Sequence, residues 1–330
     1  MSDQDLKSRH RDRAPQLLAD IGGTHTRLAL ADAGVLRPGS IRRYRNEGHA
    51  TFEALLALYL RDCGVRECAG VCLAVAGPVR DGVVRMTNLG WELRREALRA
   101  LTGSAEVHFL NDLQAQGHAL DVLDPAHIRT LVPAPETPGT TGTTDTMTRL
   151  VVGIGTGFNA APVHRSAQGL FVPPSECGHI HLPRQDSDEA ALADWLAVEH
   201  GLATVEEALC GRGLAAIHRH LGHGALTPEA LVTAIAAGDS AAKATGALYT
   251  RLLGRVLADL ALIHLPYGGI CLIGGTARAM GPHLAGFGLA THFRAMGRCA
   301  PMMEGFPIRL IEDDFAALTG CAVWLGVQAG

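Results

Sequence analysis

The chain has 330 residues, of which 47% are hydrophobic and 19% charged, with a net charge of -4. A length beyond what one core usually serves predicts two lobes, the charge balance argues against nucleic-acid binding, and no run approaches the roughly 18 apolar residues of a membrane span. Eight cysteines without paired spacing (Cys63, Cys68, Cys72, Cys177, Cys210, Cys271, Cys299, Cys321) read as reduced thiols, and residues 1–16, which lack the apolar stretch of a signal peptide, read as a disordered leader on a cytoplasmic protein.

Leu17 to Ile21 and Thr26 to Ala31 are apolar segments joined by Gly22-Gly23-Thr24, which predicts a hairpin closed by a tight glycine turn. Ile41 to Tyr44 adds a strand. Thr51 to Asp62 has helical spacing at Leu55, Leu56, Tyr59 and Leu60, and Gly70 to Ala76 reads as a buried strand. Glu106 to Leu110 is another strand, with the polar Asn111-Asp112 at its C-terminal end before a helix over Leu113 to Leu123. Thr137 to Thr148, nearly all Thr, Gly, Pro and Asp, reads as a mobile surface loop.

Beyond it, the strand Leu150 to Ile154 enters Gly155-Thr156-Gly157, and strands follow through Val163 and over Leu170 to Val172, so the hairpin theme recurs. A helical region opens near Ser187, and its longest member, Ser240 to Leu265, repeats Leu248, Leu252, Val256 and Leu260. Ile270 to Ile273 then enters Gly274-Gly275-Thr276, and Phe315 to Val327 reads as a closing helix.

A phosphate approached by the backbone needs N–H groups unobstructed by side chains, and a Gly-Gly-Thr turn supplies both the access and a hydroxyl. Beside it, Asp20 is placed to help hold Mg²⁺ through water. Standing alone, the first turn reads foremost as an ordinary hairpin connection, whereas three such turns together suit a wrapped nucleotide. Gly155-x-Gly157-x-x-Ala160, with Glu176 beyond it, also fits a loose dinucleotide fingerprint. That fingerprint must open a helix, and Pro162, Pro173 and Pro174 argue against one. Walker-A chemistry is excluded, because the two lysines, Lys7 and Lys243, do not follow a glycine.

Asn111-Asp112 at a strand end suits a general base with an orienting neighbour, and equally a simple helix cap. Glu176, His179 and Glu206 are able to pair with sugar hydroxyls. Cys177-x-His179-x-His181 lacks the second cluster that a zinc site needs.

Together these residues resemble the bacterial glucokinase family, within the hexokinase and actin-like ATPase superfamily, from about Leu17 to the C-terminus. Asp20-Ile21-Gly22-Gly23-Thr24 looks like the family's first phosphate motif, Gly155-Thr156-Gly157 its second and Gly274-Gly275-Thr276 its adenosine motif. The stretch from Ala76-Gly77-Pro78 through Met86-Thr87-Asn88 to Trp91 resembles the family's sugar-side lining, and Leu110-Asn111-Asp112 its catalytic segment.

The resemblance implies an α/β, two-lobed actin-like ATPase (ribonuclease H-like) fold with the active-site cleft between lobes. The small lobe would span 17–111, completed by a C-terminal helix over about 314–330, and the large lobe 112–313. It implies ATP and Mg²⁺ as cofactors, a hexose as substrate and a homodimer. Asp112 would take the proton from the sugar 6-hydroxyl, with Asn88, Asn111, Glu176, His179 and Glu206 binding the sugar. The family usually has Leu-Gly where Phe158-Asn159 stand, glycine at Cys177, an acid at His181 and proline at Arg212. The cysteine-rich zinc motif of a related repressor and kinase family is missing, which places the chain in the zinc-free branch. A catalytically weak sugar sensor and an NAD-dependent dehydrogenase are the alternatives, and the Asp at position 112 favours the enzyme over the sensor.

Overall fold

The computed structural model describes residues 14–75, 77, 79–86, 89–135, 147–166 and 169–328. Most of the leader expected over 1–16, most of the loop expected over 137–148, and Asn88 lie outside the described residues. The chain divides into two compact units, residues 1–123 with 314–330 and residues 124–313. No helix among the described residues is long and apolar enough to cross a membrane, and the eight cysteines are unpaired.

The first unit holds β1 (Gln16–Ile21), β2 (His25–Asp32), β3 (Val35–Leu36), β4 (Arg42–Arg45), β5 (Val71–Val75), β6 (Val79–Arg80), β7 (Val83–Met86), β8 (Trp91–Arg94) and β9 (Val107–Asn111). The main sheet runs β3-β2-β1-β5-β9, with β4 on β2, while β6, β7 and β8 make a small antiparallel meander. Strands covered on both faces read as continuous apolar runs, and β1 is one of these. Leu17, Ala19 and Ile21 face Leu55, Leu56 and Tyr59 of the helix Phe52–Asp62. Leu18 faces the other way, toward Leu318, Cys321 and Ala322 of the C-terminal helix Ala316–Gln328. Thr51 starts the helix Phe52–Asp62 by accepting a hydrogen bond from the Ala54 N–H at 3.2 Å.

β1, β5 and β9 are parallel, and their register sets Ile21 beside Val75 and Val75 beside Asn111. All three strands therefore end at one edge. The helix Asp112–Ala119 packs on Ala316–Gln328 through a close backbone approach at Gly320, where a Cβ would overlap the Ala115 carbonyl. That contact keeps the helix in the first unit, so the division falls after Leu123, twelve residues beyond the expected position after Asn111.

The second unit holds β10 (Ile128–Val132), β11 (Arg149–Ile154), β12 (Phe158–Ser166), β13 (Gly169–Phe171), β14 (Gly269–Ile273) and β15 (Ile308–Ile311), in the order β10-β15-β14-β11-β12-β13. It repeats the scheme of the first unit. A hairpin, β11-β12, leads with a strand that continues into the parallel neighbours β14 and β15. The helix Ser240–His264 buries Leu248, Leu252, Val256 and Leu260 and stops at Leu265, which adopts φ 48°.

Two sequence expectations are decided here. Gly155-x-Gly157-x-x-Ala160 leads into a strand in which Pro162 lies opposite Leu150, so there is no helix N-terminus to receive a pyrophosphate and the dinucleotide reading fails. Gly274-Gly275-Thr276, read as a third glycine turn after an apolar strand, follows the strand Gly269–Ile273 and opens a helix. Gly274 takes φ 100°, and the chain turns straight into the helix Gly275–Leu284. Only glycine fits there, because a Cβ would overlap the Ile154 carbonyl.

Candidate active site

In the turn between β1 and β2, Asn46 holds the carbonyls from behind. Its Nδ2 donates to the Gly22 carbonyl at 2.8 Å, its backbone N–H donates to the Thr24 carbonyl at 2.9 Å, and its Oδ1 accepts from the Thr26 hydroxyl at 2.8 Å. Among the described residues nothing takes the N–H groups of Gly23 and Thr24. A trans peptide points its N–H opposite to its carbonyl, so tethering the Gly22 oxygen aims the Gly23 N–H outward, as an anion-binding nest requires. Asn46 is almost fully buried and lies outside the turn in sequence. No motif pointed to it.

The surroundings are basic. Cross-strand register places His25 beside Arg45 and Arg27 beside Arg43 on one face of β2 and β4. Burial, with the nearby Arg43, Arg45 and Arg27, holds the His25 imidazole below its ordinary value. Asp20 stands on β1 with its Oδ2 2.7 Å from Arg27 Nη1. Burial pushes the Asp20 carboxyl up and Arg27 works against that shift. A cavity of about 340 Å³ opens beside the turn, lined in part by Gly23, Thr24, Asn46, His49 and Trp91. Trp91 forms its wall from within the core, donating from Nε1 to the His49 carbonyl at 3.3 Å.

Asn111 and Asp112 leave the same edge of the sheet two strands away, about 10 Å from the turn at the usual strand spacing. The capping role falls on Asn111. Its Oδ1 accepts from the Leu113 N–H at 3.0 Å, and its own N–H donates to Gln114 Oε1 at 2.9 Å, a reciprocal capping box. Among the described residues nothing takes the Asn111 Nδ2 group. Asp112 occupies the first helical position, where its Oδ1 also accepts from the Leu113 N–H, at 2.9 Å.

In the second unit the other two glycine turns meet. The Gly155 carbonyl accepts from the Gly211 N–H at 2.9 Å and from the Thr276 hydroxyl at 3.1 Å. The Thr156 carbonyl accepts from Arg212 Nη1 at 2.8 Å. As in the first unit, the carbonyls are tied back, and among the described residues nothing takes the N–H groups of Thr156 and Gly157. Beside them lies the N-terminus of the helix Gly275–Leu284, whose dipole favours an anion.

Glu176, His179 and Glu206 gather at the start of β12. The single turn Cys177–His179 lies against Phe158 at Gly178, where a Cβ would overlap the Phe158 carbonyl. The chain next to it pairs with the approach to Glu206, through Val205 N–H to Ile180 carbonyl at 3.0 Å and Leu182 N–H to Ala203 carbonyl at 3.0 Å. Glu176 and His179 are exposed. Glu206 is more committed: Oε2 accepts from the Phe158 N–H at 3.0 Å, and Oε1 pairs with Arg212 Nη2 at 2.8 Å. Asn159 donates to the Ser175 carbonyl and accepts from the Cys177 N–H at 3.1 Å and from the Cys177 thiol at 3.5 Å, so the side chains at the two departures, 159 and 177, meet.

Two α/β units of like topology, each with a hairpin leading into parallel strands, are the architecture of the sugar kinases of the actin-like ATPase fold. Solved relatives agree. A glucokinase from an Antarctic psychrotroph is 27% identical with a TM-score of 0.80, covering 94% of this chain and 98% of that one. A ROK hexokinase from Thermus thermophilus, 21% identical with a TM-score of 0.67 and covering 95% of this chain and 99% of its own, shares the fold. The glucokinase of Caulobacter sp. (strain K31) is 31% identical over 316 residues, 93% of this chain and 94% of its own length. Residues 17–328 match the family model described as Glucokinase, and the chain belongs to the glucokinase family.

Proposed function

We propose that this protein transfers the terminal phosphoryl group of ATP to the 6-hydroxyl of a hexose, glucose first, releasing ADP and the sugar 6-phosphate. The observation that carries the reading is the matched treatment of the two hairpin turns, each with its carbonyls tied back and consecutive N–H groups left open. Asp112 accepts the proton of the attacking hydroxyl as the oxygen bonds to phosphorus, and Asn111 donates from Nδ2 to the sugar. Glu176 and His179 bind further hydroxyls. Glu206 joins them with the lone pairs that Phe158 and Arg212 leave over.

Mg²⁺ is held mainly by nucleotide phosphates with one or two carboxylates. That pattern fits an Asp20 carboxylate with one oxygen on Arg27. Asp20 would hold the ion through water, and the ion supplies charge neutralisation to the phosphates. A homodimer and a cytoplasmic location belong to the same reading.

The test is coupled ADP release across glucose, mannose, fructose, N-acetylglucosamine and glycerol, run on the parent and on Asp112→Ala. Turnover should be greatest with glucose. The variant should bind glucose nearly as the parent does while losing about two to four orders of magnitude in kcat, the usual scale of general-base catalysis. Turnover absent from the parent would favour a sugar sensor, and undiminished turnover in Asp112→Ala would remove the base from its assignment.

A further inference from the structure

Arg212 is not among the residues expected to touch sugar or nucleotide, yet its guanidinium closes around the second turn. Nη1 donates to the Thr156 carbonyl at 2.8 Å, and Nη2 reaches Glu206 Oε1 at 2.8 Å and Glu207 Oε1 at 3.0 Å. Glu206 completes the ring by accepting from the Phe158 N–H at 3.0 Å. The pair thus grips the carbonyl of the turn's middle residue and the N–H of the residue that follows the turn. Gly157 passes between them, with room for no side chain, since a Cβ would sit 2.5 Å from Glu206 Oε2.

The direction of the grip matters. The Thr156 carbonyl and the Gly157 N–H belong to one peptide plane and point opposite ways. A guanidinium that holds the oxygen on one side therefore aims the hydrogen at the other, where a phosphate would lie. An isolated exposed ion pair contributes little, but Arg212 engages two carboxylates and a carbonyl at once through the rigid fork that suits it to multidentate contacts. Its hydrogen bond with Glu207 raises the Arg212 pKa, and burial of Glu207 is outweighed by Arg212, His200 and His179, which leaves that carboxyl below its ordinary value.

We propose that Arg212 is a positioning residue. Acting through the Thr156 peptide, it orients the Gly157 N–H toward the nucleotide phosphates and so acts on nucleotide affinity first, leaving the chemical step to other groups. The inference rests on reading Gly155-Thr156-Gly157 as a phosphate turn.

The experiment uses the full chain, with ATP varied at saturating glucose, glucose varied at saturating ATP, and ADP binding followed by calorimetry, for Arg212→Ala, Arg212→Lys and Gly157→Ala. Arg212→Ala should raise both the KM for ATP and the Kd for ADP about tenfold, equivalent to about 1.4 kcal/mol, with a smaller rise in the KM for glucose, because the Glu206 carboxylate it releases is also a sugar ligand, and with kcat within about twofold of the parent. Arg212→Lys should recover part of the loss, because an ammonium keeps the charge without the fork. Gly157→Ala, which forces the Glu206 carboxylate off the turn, should weaken ADP as well. If Arg212→Ala binds ADP like the parent while Gly157→Ala does not, the role of Arg212 is refuted and the phosphate turn stands. If neither substitution alters ADP binding, the phosphate-turn reading itself falls. An Arg212→Ala effect as large on glucose as on ATP would also overturn the proposal, making Arg212 a support for the sugar side.

Discussion

Asn46→Ala removes the tether of the first turn, and the structure sets the size of the effect. The substitution deletes the bond from Nδ2 to the Gly22 carbonyl and the bond that Oδ1 accepts from the Thr26 hydroxyl, both 2.8 Å. Thr26 is 0% exposed, so its hydroxyl is left without water, while the half-buried Gly22 carbonyl keeps some access. At about 1–2 kcal/mol for each group left unpaired, the loss is roughly 3 kcal/mol. On a unit of this size that lowers the melting temperature by roughly 10 °C. The released Gly22 peptide no longer aims the Gly23 N–H, so the KM for ATP should rise while glucose binding stays close to that of the parent. Scanning calorimetry with and without ADP measures both effects, because a ligand bound only to the folded state raises its apparent stability. Asn46→Asp keeps the acceptor for Thr26 and loses the donor to Gly22, so it should regain part of the stability without regaining nucleotide affinity. An Asn46→Ala protein that melts within about 2 °C of the parent, with unchanged KM for ATP, would refute both the tether and the aiming of the N–H.

Two other perturbations probe what surrounds the site. Burial lowers the His118 pKa to about 4, against an attraction to Asp121 that raises it, so between about pH 6.5 and pH 4 the unfolded chain binds a proton that the folded chain does not. The stability from a neutral buried His118 is therefore complete above about pH 6.5 and declines as pH falls toward 4, by up to about 3 kcal/mol. His118→Phe keeps a ring against Trp324, now 4.9 Å between centroids, and should flatten that part of the profile in urea unfolding; an unaltered slope would exclude His118 as its source. Gly274→Ala places a Cβ against the Ile154 carbonyl at φ 100°. It should cost a few kcal/mol of stability and weaken ADP binding more than glucose binding, and equal losses for both ligands would argue against a nucleotide role for this turn.

Local pattern by itself determined the elements whose signal lies within a few residues. The apolar runs on either side of Gly22-Gly23-Thr24 and Gly155-Thr156-Gly157 specify hairpins, because a strand and a two- or three-residue turn satisfy their own backbone groups. The spacing of Leu248, Leu252, Val256 and Leu260 specifies a core helix in the same way. Pro162 was enough to argue that no nucleotide-binding helix follows Gly157. Less legible were β10 and β15, short strands whose partners are distant in sequence, and the hand-over at Gly274, where the same Gly-Gly-Thr letters open a helix because the chain must clear the Ile154 carbonyl.

Tertiary structure alone decided which groups hold the turns. Asn46 reaches the Gly22 carbonyl from 24 residues away, Thr276 reaches Gly155 from 121 away, and Arg212 reaches Thr156 from 56 away. Thr276 was legible as part of its Gly-Gly-Thr motif though its partner was not, while Asn46 and Arg212 carry no local signature until the fold brings their partners near. The glycines identified where a phosphate could approach. The direction in which their N–H groups point depends on carbonyl partners from elsewhere in the chain, because a peptide plane is steered from its oxygen as firmly as from its nitrogen.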